Sequence, residues 1–402
     1  MAKFRTLDDI EMGGKTVLLR ADLNVPVKDG MVTDATRIER LAPTIEAMIR
    51  KGAKVIVMSH FGRPRGRPDP DFSLRPLIGP LEKAIGGRKV AFAADCIGPE
   101  AKRVAAALQP GEVALLENLR FHPEEEANSP EFARALAELG DIYVDDAFSA
   151  AHRAHASIAA LAQLLPAAAG KLMEAELDAL TAALETPRRP VLALIGGAKV
   201  STKLDLLKFL IGKVDMLAIG GAMANTLLMA QGKEVGRSLC EHDMTETARQ
   251  ILALAARRGC RVILPVDAIV APQLAPGTTT GEVAIDAVPR DMMILDIGPK
   301  TVALIGAALE EARTLVWNGP LGAFETPPFD RATIAVSKQV SELTQSGKLL
   351  SVAGGGDTVA ALAAAGVSDR LSYVSTAGGA FLEWLEGREL PGVAALTAAS
   401  AR

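Results

Sequence analysis

At 402 residues the chain is too long for one ordinary hydrophobic core, which excludes a small single-domain module and points to two domains. Apolar residues make up 49% and aromatics 4%, which excludes a disordered chain and fits tightly packed α/β domains. A formal net charge of −4 excludes a general electrostatic grip on nucleic acid, so any basic site must be local.

From Lys15 to about Ala168 short β-rich runs alternate with stretches of helical period, the mark of βα units and a parallel sheet. The expected strands are Thr16–Arg20, Lys54–Met58, Lys89–Phe92, Val113–Leu116 and Ile142–Val144. Ile38, Leu41, Ile45 and Ile49 fall on one face of a helix that Arg37 opens. Gly62 to Pro76 is read as a loop from its prolines and glycines. Around Pro166 to Arg189 the character changes, and a helix from about Lys171 to Leu184 serves as a linker. Alternation then restarts, with strands expected at Val191–Ile195, Met216–Ile219, Arg261–Leu264, Thr314–Trp317, Leu349–Val352 and Leu371–Val374. The residues after Leu390 are too few for an element of that domain and are expected to cross back to the first.

Cys96, Cys240 and Cys260 are an odd number without CxxC spacing or paired histidines nearby, which argues against a disulfide framework or a structural zinc. The amino terminus lacks the apolar core of a signal peptide, and no run of 18 apolar residues occurs, so a cytoplasmic location without a membrane partner is expected.

In the first half, strands deliver polar groups to their carboxyl ends, the edge where open α/β sheets bind ligands. Arg20, Asp22 and Asn24 follow the first, His60 and Arg63 the second, Asn118 and Arg120 a later one, and His152, Arg153 and His155 the last. Arg37, Arg63, Arg120 and Arg153, with His60, are expected to converge on an anion, because so many cations cannot crowd together without one. His152 and His155 are read as positioning or structural.

The second half carries glycine-rich strand-to-helix turns at Gly196–Lys203, Gly220-Gly221-Ala222, Gly354–Thr358 and Ala377–Ala380. Glycine lets backbone amides approach a phosphate, and the following helix offers its positive end. Together with Lys199 and Lys203 these turns point to a nucleoside polyphosphate. Neither the Walker A spacing nor a Gly-x-Gly-x-x-Gly turn is present, which counts against P-loop and dinucleotide sites. Asp357, beside the expected phosphates, is a candidate Mg2+ ligand or a helix cap.

Val17–Pro26, Ser59–Pro64, Glu117–Phe121, Gly197–Lys203, Trp317–Pro320, Gly354–Thr358 and Ser375–Gly387 together resemble the phosphoglycerate kinase family, in order and over nearly the whole chain. The resemblance implies an α/β fold of two Rossmann-like domains with parallel sheets flanked by helices, joined by a hinge helix. Residues 1–170, with the tail 388–402 returning to them, would bind phosphoglycerate. Residues 171–387, opened by linker helix 171–185, would bind Mg2+ with ATP or ADP. The family is usually monomeric.

Carried over by position, Asp22 and Asn24 are implied as ligands of the substrate's hydroxyl and carboxylate end, and His60, Arg63, Arg120 and Arg153 as the patch for its phosphate. Arg37 resembles the catalytic arginine at the transferring phosphoryl group, Lys203 the lysine that contacts that group, and Lys199 a nucleotide phosphate contact. Gly298 resembles part of the nucleoside wall, Glu325 the ribose ligand, and Gly355, Gly356, Asp357 and Thr358 the phosphate turn with its metal aspartate. Gly221 lies in a nucleotide-binding turn, and amides near Gly356 and Gly379 are implied in charge stabilisation. Ala222 and Ala377 stand where the family often has glycine. The implied reaction joins 1,3-bisphosphoglycerate and ADP to 3-phosphoglycerate and ATP. In reverse the nucleophile is a carboxylate, already ionised at neutral pH, so no general base is required. A two-lobed binding protein without catalysis, and a nicotinamide-dependent dehydrogenase, are the rival readings of a two-domain α/β chain.

Overall fold

The computed structural model describes residues 4–28 and 30–401. Backbone contacts divide the chain into two compact units, Met1–Leu177 with Glu389–Arg402, and Asp178–Arg388.

The first unit is built on strands β1 (Thr16–Arg20), β2 (Lys54–Met58), β3 (Val90–Ala93), β4 (Val113–Leu116), β5 (Ile142–Asp145) and β6 (Ala167–Ala169). They form one parallel sheet in the order β3-β4-β2-β1-β5-β6. Val17, Leu18, Leu19, Val55, Ile56 and Val57 are all fully buried, as expected where helices cover both faces of a parallel sheet. Helix α1 (Thr36–Arg50) buries Ile38, Leu41, Ile45 and Met48, its apolar stripe falling at spacings of three and four. Ile49 lies at the edge of that stripe, partly buried, and Met48 takes the inner position expected of it.

The second unit carries β7 (Val191–Ile195), β8 (Met216–Ile219), β9 (Arg261–Ile263), β10 (Asp267–Ala271), β11 (Gly281–Ala284), β12 (Met293–Ile297), β13 (Thr314–Asn318), β14 (Leu350–Gly354) and β15 (Tyr373–Ser375). Six of these form a parallel sheet in the order β9-β8-β7-β13-β14-β15, the doubly wound dinucleotide-fold order. The remaining three form a small antiparallel sheet, β11-β10-β12.

The structure corrects the sequence reading at several places. The Pro-Ala-Ala-Ala-Gly stretch contains β6, whose three alanines are fully buried beside Tyr143–Asp145. Alanine is a poor strand former, so propensity hides this strand and burial between two layers creates it. The Gly62–Pro76 loop contains two short 3-10 turns, Pro70–Phe72 and Arg75–Leu77. The helix expected over Lys171 to Leu184 is α2 (Lys171–Leu180), which passes into a π-type turn at Thr181–Glu185. Strands β3, β5, β9, β13, β14 and β15 differ by one or two residues from their expected bounds. The tail forms helix α3 (Pro391–Ser400), which returns to the first unit. There Gly392 N–H donates to Ala151 O at 2.9 Å, and Ser400 Oγ accepts from Arg5 N–H at 2.9 Å.

Candidate active site

In both sheets the strand order reverses once, between β1 and β5 and between β7 and β13, and the carboxyl ends of strands at such a point form a ligand crevice. Of the polar side chains singled out in the sequence, Asp22, Asn24, Arg37, His60 and Arg120 lie around the first and Lys203 and Thr358 around the second.

In the first unit the turns after β1, β2 and β4 are tied together. Ser59 Oγ accepts from Leu23 N–H at 2.9 Å and donates to Ala21 O at 2.8 Å. Asn24 Oδ1 accepts from Gly62 N–H at 3.0 Å, and Arg120 Nη1 donates to Gly62 O at 2.8 Å. Asn118 Nδ2 donates to Phe61 O at 2.7 Å and Phe72 O at 2.9 Å. Asp22 Oδ2 accepts from Arg37 Nη1 at 2.9 Å and from Ser149 Oγ, joining the turns after β1 and β5. The same Arg37 nitrogen donates to Asn24 O at 2.9 Å, so Arg37 is aimed by two anchors. Arg63 lies exposed on the turn after β2.

Positive charge is concentrated behind these turns. Arg120 is buried, and desolvation together with Arg153 lowers its pKa to about 10. Burial, then the charges of Arg20, Arg120 and Arg153, push His60 well below the usual imidazole range. His155 is pushed to about 3 by burial, Arg120, Arg20 and Arg153. Both imidazoles are therefore neutral at pH 7, and His60 joins the patch as a hydrogen-bonding group rather than a cation. Arg20 Nη2 lies 3.1 Å from His60 Nδ1, and a guanidinium only donates, so Nδ1 accepts and Nε2 carries the proton.

Arg20 is not part of the turn after β1 but the last residue of the strand, fully buried. It sits beside Asp145 across the sheet, donates to Ser157 Oγ at 2.9 Å, and is supported by Glu125, which accepts from Ser157 N–H at 2.9 Å. Sequence reasoning missed Glu125, Ser157 and Ser149. Glu125 sits in a Glu124-Glu125-Glu126 run that reads as a solvated helix face, and nothing in the sequence separates it from its neighbours. Burial raises its pKa, while Arg20 and the Ser157 bonds oppose the rise.

In the second unit Lys203 closes the turn after β7. Its Nζ donates to Gly196 O and to Asn318 Oδ1 at 2.7 Å, bridging β7 to the end of β13. Burial lowers the Lys203 pKa to about 8, and Asp357 partly restores it. Asn318, which lies in the family-like Trp317–Pro320 segment but has no role implied by it, also donates from Nδ2 to Gly354 O at 2.8 Å. Gly319 N–H donates to Thr358 Oγ1 at 2.7 Å, so the Thr358 hydroxyl serves the turn itself. Gly355 has φ 97° and precedes the helix Gly356–Ala364; a Cβ at this position would stand 2.5 Å from Asn318 Nδ2. Gly221 N–H donates to Leu321 O at 2.8 Å, and a Cβ on Gly221 would come within 2.6 Å of Gly197 O.

Asp357 is exposed in the first turn of that helix, whose cap position belongs to Gly355, so the capping role is excluded. Lys199 and Glu325 are exposed. Gly298 caps the helix Pro299–Glu311, where a side chain would collide with the Asp267 carboxylate. Gly379 opens the helix Gly379–Leu385. Among the described residues, Gly298, Glu325 and Gly379 stand apart from the bonded network around Lys203. Ala222 and Ala377 need none of glycine's freedom: positive φ falls on Gly221 (67°) and Gly378 (56°), and among the described non-glycine residues only on Arg65 and Asn128.

The family model for phosphoglycerate kinase matches residues 7–388. The chain belongs to the phosphoglycerate kinase family. It is 62% identical over 399 residues to the phosphoglycerate kinase of Methylorubrum extorquens, covering 99% of this chain and 100% of that one. It is 60% identical over 394 residues to that of Cereibacter sphaeroides, covering 98% and 99%. Among solved structures, phosphoglycerate kinase from Coxiella burnetii superposes with a TM-score of 0.92 at 42% identity, covering 99% of this chain and 100% of that one. The enzyme from Pyrococcus horikoshii OT3 superposes with a TM-score of 0.81 at 32% identity, covering 99% of both chains. As a phosphoglycerate kinase the chain is a phosphotransferase with a carboxyl group as acceptor, using phosphoglycerate and ATP or ADP in glycolysis. The rival readings, a non-catalytic binding protein and a dehydrogenase, fall with this membership.

Proposed function

We propose that the carboxyl edge of the first sheet binds 3-phosphoglycerate or 1,3-bisphosphoglycerate and that of the second binds Mg2+-ATP or Mg2+-ADP. The observation that carries the division is chemical: guanidinium groups dominate at β1/β5, whereas glycine turns with one half-buried lysine dominate at β7/β13. Arg63, Arg120 and Arg153 hold the substrate phosphate, with His60 offering its Nε2–H. Asp22 and Asn24 receive the hydroxyl and carboxylate end.

On the nucleotide side Lys199, Gly221, Gly355, Gly356 and Thr358 surround the phosphates, while Gly298 and Glu325 contact the nucleoside. Asp357 suits Mg2+, being an exposed hard-oxygen ligand beside a phosphate turn, and such ions keep only one or two protein carboxylates. Bound there, the ion neutralises phosphate charge. Arg37 and Lys203 stabilise the transferring phosphoryl group, helped by the amides at Gly356 and Gly379. No general base is needed, since the acceptor carboxylate is already ionised. In-line transfer requires the two bound ligands to meet, so ligand-driven hinge closure belongs to this reading. Among the described residues no helix is long and apolar enough to cross a membrane. We take the enzyme to act on its small-molecule substrates in the cytoplasm, as a monomer without nucleic-acid or membrane partners.

Calorimetry tests the division of ligands. Arg120→Ala should lose 3-phosphoglycerate affinity by at least about tenfold and keep that for Mg2+-ADP, and Lys199→Ala should do the reverse. Equal loss of both ligands in either variant, with the fold intact, would contradict it.

A further inference from the structure

A second constellation lies away from both switch points, where the parallel neighbours β3 and β4 end side by side. Asp95 and Cys96 follow β3, and His122 follows the Leu119–Phe121 turn after β4. Asp95 Oδ1 lies 2.7 Å from His122 Nε2 and accepts from Cys96 N–H at 2.7 Å. One ligand atom from each of the three residues, with the Cys96 sulfur, lies within 4.8 Å of the others. The Cys96 thiol is buried, whereas the side chains of Asp95 and His122 are 47% and 26% exposed, so the trio opens to solvent on one side. Phe132 packs against the His122 ring at a centroid distance of 5.3 Å and limits its rotation.

We propose that Asp95, Cys96 and His122 form a binding site for a soft divalent cation of the zinc class, with water in the fourth position. The donor chemistry favours this class over Mg2+. The donor set contains a sulfur and an imidazole nitrogen, which hard cations avoid. A tetrahedral zinc places such donors roughly 3.3–3.7 Å apart, so the Asp95–His122 contact opens from 2.7 Å while the contacts to the Cys96 sulfur, within 4.8 Å, close by at most about 1 Å through rotation of the partly exposed Asp95 and His122 side chains. Burial, then the carboxylates of Asp95, Glu125 and Glu117, hold the free thiol protonated, and the same carboxylates favour a cation beside it. Binding displaces the Cys96 proton and replaces the Asp95–His122 hydrogen bond with metal bonds. His122 also caps the short helix Pro123–Glu126, whose Glu125 is bonded to Ser157 and whose Glu126 lies 3.3 Å from Arg120 Nε. A bound cation therefore braces the segment that carries Arg120, apart from any role in phosphoryl transfer.

The test is Co2+ titration of the metal-free full chain, read by the near-ultraviolet thiolate-to-cobalt band and by its displacement with Zn2+. The expected result is one equivalent bound, with the band kept in Cys240→Ser, lost in Cys96→Ser, and shifted to at least about 100-fold weaker binding in His122→Gln. Cys240→Ser is the necessary control, because Cys240 Sγ lies 3.6 Å from His242 Nε2, a second cysteine–histidine pair among the described residues. Absence of a band at millimolar Co2+, or its loss in Cys240→Ser and survival in Cys96→Ser, would overturn the proposal. If the buried Cys96→Ser variant fails to fold, Asp95→Asn and His122→Gln decide: unchanged affinity in both overturns it.

Discussion

Lys203 shows how one residue's environment sets its chemistry. Burial stabilises the neutral amine and brings its pKa to about 8, while the acceptors Gly196 O and Asn318 Oδ1 aim its nitrogen. The amine is charged below that pH and loses its charge as pH rises through it, so the free enzyme loses an anion ligand on the alkaline side. We expect kcat/KM for the nucleotide to fall above about pH 8, and the limb to vanish in Lys203→Arg even if the absolute rate is lower. Bound phosphates favour the ammonium, so the corresponding limb in kcat should lie at higher pH. A kcat/KM profile flat to about pH 9.5 in the parent would contradict the role given to this amine. The asymmetry with the imidazoles is instructive: burial and arginine neighbours leave His60 and His155 neutral, so neither should impose a protonation limb near pH 6.5.

At the scale of elements, the turns are held by close backbone approach. Gly355 combines φ 97° with the near contact to Asn318 Nδ2, and Asn318 in turn holds both Lys203 and Gly354. Gly355→Ala should therefore destabilise the second unit by about 1–3 kcal/mol and raise KM for the nucleotide more than for phosphoglycerate. Urea unfolding and steady-state kinetics check this, and a variant with unchanged stability and KM would refute it. Long apolar strands such as Thr16–Arg20 and Val191–Ile195 were legible in the sequence, because buried parallel strands leave continuous hydrophobic runs. The small β10–β12 sheet was not, since its outer strand Gly281–Ala284 is exposed and lacks alternation. The arginines at strand ends were legible because each follows an apolar run. Their buried support was not: Glu125 and Ser157 are local sequence neighbours of nothing they serve, and only the fold brings them to Arg20. Asn318 was visible in its motif, yet its bridging role depends on β13 lying beside β7.

For the whole molecule, the chain's end completes its beginning. Helix α3 buries Ala395, Leu396 and Ala399, Leu390 is buried just before it, and Gly392 fits against Ile158 and Ala151, next to His152 and Arg153. Deleting residues 389–402 should lower the melting temperature of the first unit and raise KM for 3-phosphoglycerate, with nucleotide affinity retained. Equal loss of both affinities would show that the tail does not act through the first unit alone. Arg37, held by Asp22 and the Asn24 carbonyl, is proposed to act on the transferring phosphoryl group rather than on ground-state binding. Its most direct test is a coupled assay of ATP consumption dependent on 3-phosphoglycerate and Mg2+, comparing the parent with Arg37→Ala. Activity is expected in the parent and, in a folded variant, a kcat lower by about 10²–10³-fold with a much smaller change in KM. An unchanged kcat with a raised KM would contradict it and make Arg37 a substrate-binding residue.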